Sequence, residues 1–422
     1  MSSTNTYSDQ TALFKQLYAD KVVNLVPENL HYCNEIKPMP ADKQPGNKFN
    51  QPVVLSMEEG VTLSPPENGA YALNSPIANV TANAQVQGSQ FTLRSAIDYE
   101  SLFRSKNNKG AFVQATKHVI ESALKSAYFY KEAEMMWGKR GVGIVDSASD
   151  TVVTIKTAEY ASGLWSASKN RSLRFMVGAT AVARGTASVE SYSISDRTIT
   201  LDAAVTGLAD GDYIYFGSAG LAGANEMEGI YNIIDSTNAS VFGISGSTHD
   251  LWLPAEVYDL ESTELTFQKI MKAVSRGANK GMGDGITDID VVVNPLTYQD
   301  LLNEAAGARS QDSSYRSELY ENGSSKAKFH CAAGTINLTS HRLMKEGYSF
   351  VHPKASKFFD FIGCQATPTF NLPGFVVNGQ QQYLKPMESN AGYETRLYWN
   401  GAVFTPLRNQ TILIKGIVNT AS

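Results

Sequence analysis

From Val80 to Gln87 the chain reads VTANAQVQ, with Val80, Ala82, Ala84 and Val86 alternating with Thr81, Asn83, Gln85 and Gln87. A two-residue period lays one weakly apolar row along one face of a strand. Upstream, in QPVVLSMEEGVTL, Val53, Leu55, Met57, Val61 and Leu63 keep the same period, interrupted at Glu59. Between the two runs, SPPENGAYALNSP carries Pro-Pro and Asn-Gly, both turn formers. The alternation changes phase near Gly88, the mark of a bulge or bend. The pattern predicts one two-stranded hairpin over Gln51–Leu93, with strands of about a dozen residues reaching roughly 40 Å. From Asn68 to Leu93 it carries no charge, no Cys and no His. Such a ribbon is marginal in water. Something outside it must prop it.

Before the hairpin, TALFKQLYADKVVNLV predicts a short helix, and PENLHYCNEIKPMPADKQPG an extended arm lying on another surface. After it, Phe112, Ala115, Val119, Ala123, Ala127, Tyr130, Ala133 and Trp137 recur at three- and four-residue steps. Gln114, Lys117, Glu121, Lys125 and Glu132 fall on the other face. This predicts a spine helix over Gly110–Gly138, about 40 Å long. Between Thr151 and Gly220 the runs TVVTIK, LRFMVGA, SVESYSI, TITLDAA and DYIYFG predict a small inserted β barrel or sandwich. Then STELTFQKIMKAVSRG predicts a helix capped by Ser262 and stopped at Gly277. ITDIDVVVNPLTYQDLL moves from strand to helix, with Asn294 as cap and Pro295 in the first turn. The tail holds two or three strands, and its Asn400-Gly401 pair signals a hairpin.

Composition narrows the functional classes. The 422 residues are only 18% charged, with net charge −5 and no Lys/Arg-rich run, which excludes a dedicated nucleic-acid binder. A lightly charged, polar surface suits large contacts with other protein. MSSTNTYSDQ lacks the basic and apolar regions of a signal peptide, and no run approaches the ~18 apolar residues of a membrane span. Cys33, Cys331 and Cys364 are scattered and odd in number, so they read as reduced, buried thiols of a protein made in cytoplasm.

Catalytic and metal motifs do not form. GISGS misses the second Gly of a nucleophile elbow, and GANKGMGDG lacks the Gly-Lys-Ser/Thr end of a phosphate loop. GKRGVG follows a helix and reads as its stop. His330, Cys331 and His341 lack zinc-ligand spacing, and Asp284, Asp288 and Asp290 lack that of a calcium loop. Glu58 and Glu59 are adjacent and point to opposite faces of a strand. They read as partners for Lys or Arg of another chain. No catalytic residue, cofactor site or metal site is assigned, and the chain does not read as an enzyme.

The order of parts is more specific than any motif: arm, long hairpin, spine helix, β insertion, an α/β part with VVVNPLTYQDLL, and C-terminal strands LYWNGAVFTPLRNQTILIKGIV. It resembles the major capsid protein of tailed bacteriophages, with the Hong Kong 97-type fold, over essentially the whole chain except the insertion. The resemblance implies an α+β chain divided as follows. The N-terminal arm takes 1–50, the extended loop 51–100, and the spine helix with the peripheral domain 101–150. The inserted β domain takes 151–220, the axial domain with connecting peripheral elements 221–345, and the last axial and peripheral strands 346–422. It implies inter-subunit contact through Glu58, Glu59, Pro65, Tyr71, Val80, Val86 and Arg94 of the loop. It further implies hexamers and pentamers closing an icosahedral head around double-stranded DNA held without sequence-specific contact, in a virion made in the host bacterial cytoplasm, with no membrane. Scaffold and portal proteins are implied partners, and a decoration protein a further one. No long charged helix precedes the arm, so a fused scaffolding domain is not expected. The family's Lys–Asn cross-link is not expected either, because the nearest Lys is Lys48 at the hairpin base. An encapsulin-type compartment shares the fold but lacks such an insertion; a soluble enzyme or glycan-binding protein would need a polar cluster that the sequence does not present.

Overall fold

The computed structural model describes residues 30–40, 48–66, 69–101, 115–178, 180, 182–217, 226–237, 240–282, 288–310, 327–331, 334–370, 376–377, 380–381, 384–388 and 390–420. The helix expected in TALFKQLYADKVVNLV, Asp284, and the first turn of the spine from Gly110 lie outside the described residues. In chain order the elements used below are α1 (His31–Glu35), β1 (Phe49–Val54), β2 (Thr81–Val86), β3 (Ser89–Asp98) and the spine α2 (Ala115–Trp137). Next come β4 (Gly143–Ser149), β5 (Val152–Ile155), β6 (Ser172–Met176), β7 (Ala183–Ser193), β8 (Thr198–Leu201) and β9 (Tyr213–Phe216). The remainder are β10 (Glu256–Thr263), α3 (Phe267–Ala278), β11 (Asp288–Val293), α4 (Pro295–Ser310), β12 (Ala327–Cys331), β13 (Gly334–Ser340), β14 (Tyr348–Pro353), β15 (Asp360–Ile362), β16 (Gly392–Phe404) and β17 (Ile412–Ile417).

The chain divides into two compact units, a smaller one of 1–26, 93–125 and 370–397 and a larger one of 27–92, 126–369 and 398–422. In the smaller, Arg94 Nε donates to Glu394 at 2.5 Å and Arg396 holds the other carboxylate oxygen. Tyr99 and Tyr393 meet edge to face at 5.2 Å.

The larger unit holds two sheet systems. The insertion is a closed barrel in the order β4-β5-β8-β7-β6-β9. The five expected strands are present, and the sixth is β4, whose sequence GIVDSAS has too few apolar residues to announce itself. The insertion therefore begins before Thr151. Closure leaves the barrel without free edges, and Leu173, Phe175, Val189, Ile199 and Ile214 fill it. The second system is a mixed sheet in the order β10-β17-β14-β11-β13-β12. Its inner strand β11, DIDVVV, ends in an unbroken Val291–Val293 run because both faces of the strand are covered there.

Three local expectations are corrected. Helix α3 is capped by Thr266, whose side chain accepts from Lys269 N; Ser262 sits in a strand at φ 61°. Gly277 lies inside that helix, where a Cβ would stand 2.8 Å from Ile412 Cδ1, so it sets close helix–sheet packing. Asn400-Gly401 makes no hairpin. β16 runs straight through it, and Gly401, at φ +154°, makes room for the Phe361 ring and for the backbone at Gly88. By contrast, Asn294 does cap α4, accepting from Leu296 N at 2.9 Å, and GKRGVG does end the spine.

A buried ionic knot ties barrel, spine and sheet. Glu159 accepts from Lys345 Nζ at 2.7 Å, from Tyr348 Oη at 2.7 Å and from Arg140. Lys345 also donates to Gly141 O at 3.0 Å and lies over the Trp137 ring at 4.4 Å. Burial alone would raise the Glu159 carboxyl, but Lys345 and Arg140 outweigh it and bring it to about 2. Removing one partner strands the other charge in the interior. Glu159→Ala is expected to cost about 3–5 kcal/mol at neutral pH by urea unfolding. A carboxyl held low stabilises above its ordinary value of 4.5 and loses that contribution as pH falls toward 2. The gap between wild type and variant should close over that window.

Candidate assembly surface

The hairpin is shorter and looser than its sequence period predicts. β1 and β2 pair from Phe49↔Val86 to Val54↔Thr81. Beyond them the rungs are sparse. Leu55 N donates to Val80 O at 2.8 Å, and Glu59 and Ile77 exchange two bonds of 2.9 Å. Further out, Asn74 replaces ladder bonds with its side chain, donating from Nδ2 to Val61 O at 2.8 Å, while its N–H bonds Thr62 Oγ1. β3 is not part of the hairpin at all; it pairs with β16. The bend at Gly88 permits this, since a Cβ there would stand 2.6 Å from Gly401 C, and Phe91 stacks on Trp399 at 3.8 Å.

One apolar period meets two fates. At the base, Leu55, Ala84 and Val86 are buried, with Phe49, Val53 and Ala82 packed on the same core. Past Leu55 the row comes out of the protein: Met57 is 84% exposed, Val61 74%, Leu63 91% and Leu73 79%. Val54, Tyr71, Ile77 and Val80 are also exposed large side chains. No Lys or Arg lies between Lys48 and Arg94, so the only formal charges on the finger are carboxylates.

Among the residues expected to meet a neighbour, Glu58, Glu59, Pro65, Tyr71 and Val80 are exposed. Val86 is corrected: at 2% exposure it belongs to its own core, because β2 turns that face inward. Arg94 is exposed but already pairs with Glu394. The described metal candidates are engaged separately. His341 bonds Glu132, Cys331 Sγ donates to Gly334 O at 3.2 Å, and Asp290 lies in β11. Among the described residues no group of three or more His, Cys, Asp or Glu could hold a metal, and no helix is long and apolar enough to cross a membrane. None of the three cysteines forms a disulfide; Cys33 and Cys331 are half-buried and Cys364 is exposed, so none is the fully buried thiol expected from the sequence.

A cavity of about 280 Å³ opens between the start of β3, the spine and the barrel, lined by Phe91, Tyr130, Glu134, Trp137, Arg174 and Glu226 among others. No motif marks it, because its residues come from β3, the spine, the barrel and the loop after it. Glu134 Oε1 accepts from Ser89 Oγ at 2.8 Å and Met227 N at 3.1 Å, and Glu226 accepts from Lys139 N at 2.8 Å. Burial, and then the neighbouring Glu134, push the Glu226 carboxyl up to about 8. A carboxyl raised by folding loses stability as pH climbs from its ordinary 4.5 through about 8. Glu226→Gln should therefore raise Tm at pH 9 relative to wild type and leave it nearly unchanged at pH 4, read by calorimetry.

No family model matches the sequence, and no curated protein does. Among solved structures, the fold is that of a phage capsid subunit. The particular likeness is to the capsid of cyanophage A-1(L), at TM-score 0.55 and 10% identity, over 98% of this chain and 99% of that one. The capsid of cyanophage Pam1 aligns at TM-score 0.48 and 10% identity, over 97% of this chain and 98% of that one. The capsid of a native GTA particle aligns at TM-score 0.48 and 6% identity, over 99% and 100%.

Proposed function

We propose that this chain is the major capsid protein of a tailed phage, which self-assembles into the icosahedral shell around a double-stranded DNA genome. The observation that carries the reading is the finger. Its outer half exposes an apolar row that the described residues of its own chain leave bare, on a protein with a capsid-subunit fold. Contiguous exposed apolar surface marks a contact with another molecule. Each large side chain covered is worth about 1.5–3 kcal/mol before the costs of association. A shell repeats that contact on every subunit, so a modest single contact suffices.

In this reading the finger is the extended loop of the Hong Kong 97-type fold, α2 the spine of the peripheral domain, and the mixed sheet the core of the axial domain. Val54, Met57, Val61, Leu63, Tyr71, Leu73, Ile77 and Val80 lie across the adjacent subunit. Pro65 sits toward the turn, and Glu58 and Glu59 meet cationic groups there. Arg94 helps hold the loop's root. Hexamers and pentamers build the head, scaffold and portal proteins guide it, and the product resides in the virion after synthesis in the host cytoplasm. The role is structural and needs no cofactor. A net charge of −5 suits a container that does not grip its genome.

Two substitutions on the bare row test this. Leu63→Glu with Leu73→Glu should leave the subunit's Tm within about 1 °C of wild type, since neither side chain is buried, and should abolish shells in electron micrographs and light scattering. Deleting Pro65–Ser75 should do the same. Normal shells from either variant would remove the finger from the assembly mechanism.

A further inference from the structure

The segment His31–Ile36 is held by a buried cluster of ionisable groups drawn from the spine, the mixed sheet and the loop after β13. Tyr32 N and Cys33 N each donate at 2.7 Å to the two carboxylate oxygens of Glu132. His341 Nδ1 accepts from Leu343 N at 3.1 Å, so its Nε2–H donates to Glu132 Oε1 at 3.0 Å. His352 is fixed the opposite way round. Its Nδ1–H donates to Pro353 O at 2.7 Å, which leaves Nε2 to accept the Tyr32 hydroxyl at 3.0 Å. His31 stacks edge-on against Tyr32 at 5.1 Å and His341 at 5.9 Å, and its buried Nε2 has no hydrogen-bond partner among the described residues.

In this arrangement acid works against docking. A proton on His352 Nε2 turns an acceptor into a donor aimed at the Tyr32 hydroxyl. A proton on His31 puts a charge on a mostly buried ring whose Nε2 has no acceptor to receive it. The charged groups facing the segment are Glu35 on α1, Glu132 on the spine, His341 beyond β13, Asp290 on β11 and His352 on β14. Lys131 on the spine also lies within electrostatic reach of Cys33 and Glu132, with its Nζ donating to Ala366 O at 2.8 Å. We propose that this cluster is an acid-sensitive latch, holding His31–Ile36 to the spine and the sheet at neutral pH and letting it go in acid.

The sign agrees. Burial holds His31 and His352 below their ordinary 6.5, against the pull of Glu35 and Asp290. Glu132 is also held low, by His341 and the Tyr32 and Cys33 donors against its own burial. Release returns His31 to water, frees His352 Nε2 from the Tyr32 hydroxyl and takes from Glu132 the Tyr32 and Cys33 donors, so each change favours proton uptake. Docking is thus strongest above pH 6.5 and weakens as pH falls.

Hydrogen exchange at the Tyr32 and Cys33 amides of the full chain, corrected for the intrinsic pH dependence, tests the latch. Between pH 7.5 and pH 5 their protection should drop by about tenfold or more, as a shift of one pKa unit in one group would give. Amides of the barrel, 143–216, should keep theirs. The double variant His31→Gln, His352→Gln should show less than about a threefold change. His31→Gln alone, at the less buried ring, should fall between the two. Equal protection at both pH values in wild type would overturn the proposal. So would a loss shared equally by the barrel, or a double variant as pH-dependent as wild type.

Discussion

A strand with a two-residue apolar period is satisfied only when the face it makes meets another surface. At Ala84 and Val86 that surface is the chain's own core; at Met57, Val61, Leu63 and Leu73 none of the described residues supplies it. The change occurs within one continuous ribbon, so it cannot be put down to a change in composition. The base is rigid because Phe49 meets Phe404 at 5.7 Å and Gln85 N bonds Phe242 O at 2.8 Å. The outer part keeps its shape with few rungs, one of them a side chain standing in for backbone. A fixed root and an uncovered end make a device for reaching outward, and the capsid-subunit fold supplies a context in which many copies lie within reach.

Much of the fold was legible in the sequence because it rests on local periods. The spine stripe at Ala123, Ala127, Ala133 and Trp137 is buried as its spacing requires. The barrel strands announced themselves through short apolar runs, and Asn294-Pro295 marked a helix start. The misses have a common cause. Gly401, Gly277 and Gly88 carry turn or stop signals in sequence, yet each serves a close approach between segments far apart in the chain. Glu132 was placed on the polar face of the spine, and it is buried because two amides and a histidine converge on it.

The same reason hid the ionic clusters. Glu132 and His341 are 209 residues apart, and Glu159 and Lys345 are 186 apart. No short motif can span such distances. The finger was visible because its chemistry is the lack of partners, which sequence shows directly. Whether a given apolar position on it faces inward or outward was not visible, and Val86 was misplaced for that reason.

The barrel's first and last strands are ladder neighbours, with Gly143 opposite Ile214 and Ile144 opposite Tyr213. Entry and exit of the insertion are therefore only one strand spacing apart, about 5 Å. A module that leaves and returns through a single doorway imposes almost no geometric demand on its host. What binds the module to its framework is therefore not the path of the chain but side-chain chemistry: any replacement with equally close ends would still have to supply a partner for the buried Lys345 and for Arg140, which Glu159 now holds.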